Sequence, residues 1–153
     1  MAKHISKYLK GTKMLKLQIG GVGVSSGDVN IDSWSDADFA ADKSDRKSVS
    51  ECVVMIDGAV VLWSCKKQNG VSLSTMEAEF IAASQAGREL LGLRQLFQEL
   101  GIKIAEPMKL KMYNQAAINQ MESEKRTASA KLVDIRFKFI CHYAHVQLFS
   151  QSP

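Results

Sequence analysis

Two acids stand out by their surroundings: Asp36, in the acidic cluster Ser35-Asp36-Ala37-Asp38, and Glu77, in the capping box Ser74-Thr75-Met76-Glu77. Carboxylates brought together from separate elements can hold magnesium, which takes oxygen ligands. A pair of such ions about 4 Å apart would need more acids, because the divalent charges repel. Each acid also has an ordinary reading: Asp36 as a loop acid, Glu77 as the capping-box partner of Ser74. A second group is basic. Arg46, Lys47, Lys66 and Lys67 could meet phosphates or could form a solvated surface. The third group, Cys52, Cys65 and Cys141, is odd in number and lacks metal-ligand spacing. That argues against zinc and against a secreted disulfide scaffold, leaving reduced, buried thiols.

Hydrophobic patterning predicts the elements that position these groups. Residues 3–10 read as a short helix ending near Gly11, and Met14 to Ile19 alternates like a half-buried strand. After a glycine-rich loop, Val29 to Ser35 is the next strand, which puts Asp36 at a strand end. Val49 to Ile56 and Ala59 to Lys66 flank Asp57-Gly58, the pair that favours a type I′ hairpin turn. If Ile56 faces Ala59, then Ser50, Cys52, Val54, Ile56, Ala59, Val61, Trp63 and Cys65 share one apolar face that a helix must cover. The same register makes Cys52 and Cys65 diagonal neighbours roughly 7–8 Å apart, outside disulfide reach.

Ser74 opens a long helix running to about Leu100, with Gly101 after it and apolar residues at spacings of three and four from Met76 onward. Met108 to Met112 is a short strand, with Lys109 and Lys111 opposite Met108, Leu110 and Met112. A helix then starts near Asn114, another runs from about Ser129 to His142, and Val146 to Phe149 reads as a final strand. Trp34, Trp63, Phe39, Phe80 and Phe97 are expected in or near the core. This order describes a mixed sheet with helices packed on its faces.

At 153 residues the chain suits one domain that buries a core without disulfides or structural metal. Its 46% apolar and 24% charged content excludes bulk disorder. A net charge of +4 and a pI near 9.0 fit an anionic partner such as nucleic acid. No apolar run reaches the roughly 20 residues that span a bilayer, and Met1-Ala2-Lys3-His4 does not open a signal peptide. The expectation is a soluble, intracellular chain with no membrane partner.

Several segments in one order resemble the ribonuclease H region of copia-type retrotransposon polyproteins. They are Ser35 to Ala40, Asp45-Arg46-Lys47-Ser48, Ser64-Cys65-Lys66-Lys67-Gln68, Leu73 to Ala82, Leu93-Arg94-Gln95-Leu96, Asn114 to Ile118 and Val133-Asp134-Ile135-Arg136. Tyr8-Leu9-Lys10-Gly11-Thr12 resembles the segment joining reverse transcriptase to that region. The resemblance implies an α/β, ribonuclease H-like fold with a mixed five-stranded sheet. Residues 1–13 would be a remnant of the joining segment, and 14–150 the domain without its last helix.

Members of that family cut the RNA strand of an RNA–DNA hybrid with two magnesium ions held by carboxylates. The resemblance assigns Asp36 and Glu77 to two of the ligands, which would make them the catalytic and metal-binding remnants. It places Tyr113 where the family has an aspartate, and a phenol is a poor magnesium ligand. The family's last acidic ligand lies in a helix beyond the strand matched by Val146 to Phe149, and this sequence stops at Pro153. Asp134 matches a helix acid upstream of that ligand and reads as a cap or ion-pair partner. Leu132 replaces a usual histidine, and Glu51 a usual glycine.

The expectation is a magnesium-dependent ancestry with hydrolysis impaired and with residual binding of RNA–DNA hybrid through Arg46, Lys47, Lys66 and Lys67. Two other readings stay open: a co-opted protein-interaction or effector-like domain with no nucleic-acid role, and an active nuclease completed in trans.

Overall fold

A computed structural model describes residues 2–16, 27–114, 139, 142 and 149–152. Its elements are α1 (Ala2–Thr12), β1 (Ile31–Asp38), β2 (Val49–Ile56), β3 (Ala59–Lys67), α2 (Thr75–Glu99), β4 (Met108–Met112) and β5 (Phe149–Ser152). The five strands form one sheet in the order β3-β2-β1-β4-β5. β1, β2 and β3 pair antiparallel, and β4 joins β1 and β5 in parallel. The mixed five-stranded sheet expected from the sequence is therefore present, with Phe149–Ser152 as its last strand; of the strand expected from Val146 to Phe149, only Phe149 lies among the described residues.

α2 exists because local chemistry starts and stops it. Ser74 caps its N-terminus in extended geometry and accepts from the Glu77 N–H at 3.1 Å. At the other end Gly101 takes φ +69°, and the Ile102 and Gly101 N–H groups donate to Phe97 and Gln98 carbonyls at 2.9 and 3.1 Å. That pattern is a Schellman stop, which a residue with a Cβ would strain. Small residues Ala78, Ala82, Ala83, Ala86 and Gly87 line the buried side of α2 and let it lie close to the sheet. Below it sit Ile31, Cys52, Val54, Leu110 and Met112, with Phe80 and Leu90 from the helix. Met108, Leu110 and Met112 are buried while Lys109 is exposed, the alternation expected of a strand covered on one face.

The hairpin follows its turn and then departs from its expected face. Asp57 and Gly58 both have positive φ, +45° and +81°, and Ile56 faces Ala59, as a type I′ turn requires. Two residues further on, Met55 faces Val60 but Val54 faces Leu62. Val61 is thus an extra residue on β3, a β-bulge, and a one-residue slip exchanges the faces of everything beyond it. Leu62 packs against the core, while Val61 and Trp63 are exposed, Trp63 by 66%. The expectation that Val61, Trp63 and Cys65 share the apolar face with Cys52 is overturned by that residue.

Cys52 faces Ser64 across the ladder, so Cys52 and Cys65 lie on opposite faces. They are unpaired as expected, for a different reason. Burial pushes the Cys52 thiol up to about 11, which makes it an inert core group.

α1 exposes Ile5, Tyr8 and Leu9, each by more than half. Met14 lies in a turn, and the rest of the strand expected to Ile19 falls largely outside the described residues. The helices expected from Asn114 and from Ser129 also lie largely outside them, as do Cys141, Leu132 and Asp134; Phe139 and His142 are helical.

Candidate metal and nucleic-acid site

β1 carries Asp36 close to its end, opposite Glu51 of β2. The carboxylate that comes to Asp36 is Glu79, two residues beyond the glutamate expected there. Residues two apart on a helix stand about 200° from one another, so Glu77 and Glu79 cannot both face the sheet. Glu79 is 7% exposed, whereas the Glu77 carboxylate turns back to accept from the Leu73 N–H at 2.7 Å. Glu77 therefore serves the helix start, as its capping reading has it. Helical spacing carried the signal, because Glu79 precedes buried Ala83, Ala86 and Leu90 by intervals of four, three and four.

Burial raises Glu79 to about 7, reinforced by the charge of Asp36 and by a hydrogen bond between the two side chains; the Ala37 N–H opposes the shift. A shared proton is the usual response when two carboxylates meet in a partly desolvated site. Asp36 Oδ1 also accepts from the Ala37 N–H at 2.9 Å. Among the described residues, Glu79 Oε2 and the Ser35 hydroxyl are the buried side-chain polar atoms without a hydrogen-bond partner. An open, buried carboxylate oxygen beside a second carboxylate fits one hydrated divalent cation. A second ion would need further acids, and among the described residues no three His, Cys, Asp or Glu side chains converge.

Tyr113 directly follows β4, one residue past the Ser35 and Met112 pair. It therefore stands at the same level of the parallel pair as Asp36. Its side chain is 73% exposed, and it brings a phenol to that strand end.

The four basic residues separate into two pairs. Lys67 Nζ binds Asp42 Oδ2 at 2.5 Å and Asp45 Oδ2 at 2.9 Å, and Lys47 lies 3.6 Å from Asp45. These contacts hold Asp42 well below the usual carboxylate range and raise Lys67. Lys67 thus fastens the 42–47 loop to the end of β3, and Lys47 pairs within that loop. Arg46, in left-handed geometry with φ +57°, and Lys66 are exposed, and among the described residues no carboxylate pairs with them. On the sheet face away from α2, Lys111 lies 4.5 Å over the Trp34 ring and 3.6 Å from Asp32, an arrangement the sequence did not indicate.

No protein-family model matches the chain. It is 35% identical over 138 residues to the retrovirus-related Pol polyprotein from transposon TNT 1-94 of Nicotiana tabacum, covering 90% of this chain and 10% of that protein. It is 34% identical over 91 residues to secreted RxLR effector protein 161 of Plasmopara viticola, covering 60% of this chain and 61% of that one. Among solved structures, the N-terminal ribonuclease H domain of Rv2228c from Mycobacterium tuberculosis superposes with a TM-score of 0.57 at 12% identity, over 81% of this chain and 87% of that one. LC11-RNase H1 in complex with RNA/DNA hybrid gives 0.55 at 15% identity, over 81% and 86%.

The chain matches the ribonuclease H domain of copia-type retrotransposons. The structural likenesses establish the ribonuclease H fold. The sequence likeness ties that fold to retrotransposon polyproteins, of which the chain spans about a tenth of the tobacco example's length. In this ribonuclease H-like domain the meeting of β1, β4 and the first turns of α2 is the candidate site. No helix among the described residues is long and apolar enough to cross a membrane.

Proposed function

We propose that the chain is a retrotransposon-derived ribonuclease H-like module that retains affinity for RNA–DNA hybrid and has lost effective two-metal hydrolysis. The observation that carries this reading is the uneven site. Asp36 and Glu79 meet with one carboxylate oxygen free, while the adjoining strand end presents Tyr113. Asp36 and Glu79 would hold one magnesium ion with waters completing its shell. When bound, that ion would polarise a phosphate oxygen. The chain's own groups would contribute less: Glu79 exchanges a proton near neutrality, and Arg46 and Lys66 offer positive charge to a phosphate backbone.

LC11-RNase H1 has been seen with a hybrid bound, which motivates the choice of substrate here. Fluorescence anisotropy with a labelled RNA–DNA hybrid tests it directly. Binding should weaken steeply with salt, as counterion release requires; no binding even at low salt would refute the nucleic-acid role.

A second reading has one observation in its favour, the likeness to a secreted effector over 61% of that protein's length. Under it the scaffold serves protein recognition, and hybrid binding is absent at every salt concentration.

A further inference from the structure

Gln68 follows β3 directly and is 1% exposed, an unusual place for a primary amide unless each polar group is satisfied. Its Nε2 donates to Ser50 Oγ at 2.9 Å and to the Ala78 carbonyl at 3.0 Å, and its Oε1 accepts from Ser72 Oγ at 2.9 Å. Its own N–H donates to the Ser48 carbonyl at 2.8 Å. One side chain thus joins β2, the loop before α2 and the first turns of α2. Both amide hydrogens are committed, so the carboxamide has a single orientation that satisfies them.

The contact with Ala78 bears on the site. The Ala78 carbonyl and the Glu79 N–H belong to one planar peptide unit, so holding the carbonyl fixes the backbone from which the Glu79 side chain departs. Glu79 must reach Asp36 across the junction of helix and sheet, and Gln68 is the buried hydrogen-bonding side chain that spans this junction one residue away. Interior groups held by packing and hydrogen bonds set site geometry to within fractions of an ångström.

We propose that Gln68 is the positioning residue for Glu79, clamping the Ala78–Glu79 peptide to the β2–β3 hairpin and so setting the approach of the Glu79 and Asp36 carboxylates. Its consequence for cation affinity rests on reading that pair as a metal-site remnant; its structural content does not. The experiment is a metal-free NMR comparison of the whole chain with Gln68→Met, which keeps length and removes both donors.

Gln68→Met should displace the Glu79 carboxyl carbon and the Ala37 amide resonance, the two signals that report the carboxylate pair. Val54→Ala, a core truncation away from the clamp, should leave both in place at a comparable loss of melting temperature. Ser50→Ala frees one Nε2 donor and should move the same signals by less, which keeps the proposal testable if Gln68→Met fails to fold. Shifts confined to residues 48–50, 68–72 and 78, with the Glu79 carboxyl and Ala37 unmoved, would overturn it, as would equal displacement in Val54→Ala. Titration with Mn2+ then separates the two claims. A five- to tenfold weaker affinity in Gln68→Met supports both, whereas no Mn2+ binding by the unmodified chain refutes the metal reading and leaves the NMR result to decide the clamp.

Discussion

β1 and β4 run side by side in parallel register as far as the Ser35 and Met112 pair, and just beyond that pair they deliver different chemistry. β1 carries Asp36 close to its end, against buried Glu79, and β4 is followed by an exposed tyrosine. Their interiors differ far less, since Ile31, Ser33 and Ser35 on one and Met108, Leu110 and Met112 on the other are all buried under α2. Side chains that fill the core answer to packing, which any change of volume disturbs. A side chain at an open strand end answers to chemistry, and its replacement leaves the fold intact.

The strongest way to break this contrast is to strike the part the strands share. Leu110→Ala, at a position with no exposure, should cost about 2–5 kcal/mol in denaturant unfolding and loosen both strand ends together. A loss below about 1 kcal/mol would mean that β4 is not part of the common core.

The next effect belongs to the β1 side alone. In the folded chain Glu79 holds its proton up to about pH 7, against 4.5 ordinarily. The folded state therefore binds more protons between those values, and stability must fall as pH rises through the window. The favourable contribution is complete below 4.5 and gone above 7. Its size is roughly 2 kcal/mol, less than the whole shift implies because Asp36 is open to water. Glu79→Gln should flatten this slope in pH-dependent unfolding, whereas Glu77→Gln should leave it in place. A slope that survives Glu79→Gln would assign the proton elsewhere.

Tyr113→Asp sharpens the contrast from the β4 side. It should tighten Mn2+ binding on the order of tenfold, about 1.4 kcal/mol, and change stability by less than about 0.5 kcal/mol, as exposed substitutions do. Calorimetry that finds unchanged affinity would place Tyr113 away from the carboxylate pair. The smallest effect concerns the basic residues. Lys66→Ala should lower the salt slope of hybrid binding by about one, while Lys67→Ala should change it less, because Asp42 and Asp45 already hold that ammonium.

Much of this arrangement was legible in the sequence where a local rule governs it. The Asp57-Gly58 turn, the Ser74 cap and the Gly101 stop each need particular residue types, and each stands where expected. What was hidden needed tertiary information. A bulge at Val61 has no residue signature, since any side chain can be the extra one, yet it moved Trp63 from the core to solvent. Choosing between Glu77 and Glu79 required the phase of α2 against the sheet. The capping reading of Glu77 was available all along; the resemblance obscured it by favouring the first glutamate of a pair. Lys67 looked like a phosphate contact because its acidic partners lie 22 and 25 residues earlier in the chain.

The most direct test of the account is magnesium- and manganese-dependent cleavage of a labelled RNA–DNA hybrid by the unmodified chain, with Asp36→Asn as the control against contaminating nuclease. With a tyrosine at the strand end beside Asp36 and Glu79, no cleavage above that control is expected in either metal. Metal-dependent cleavage that disappears in Asp36→Asn would contradict the account and show that further ligands complete the site.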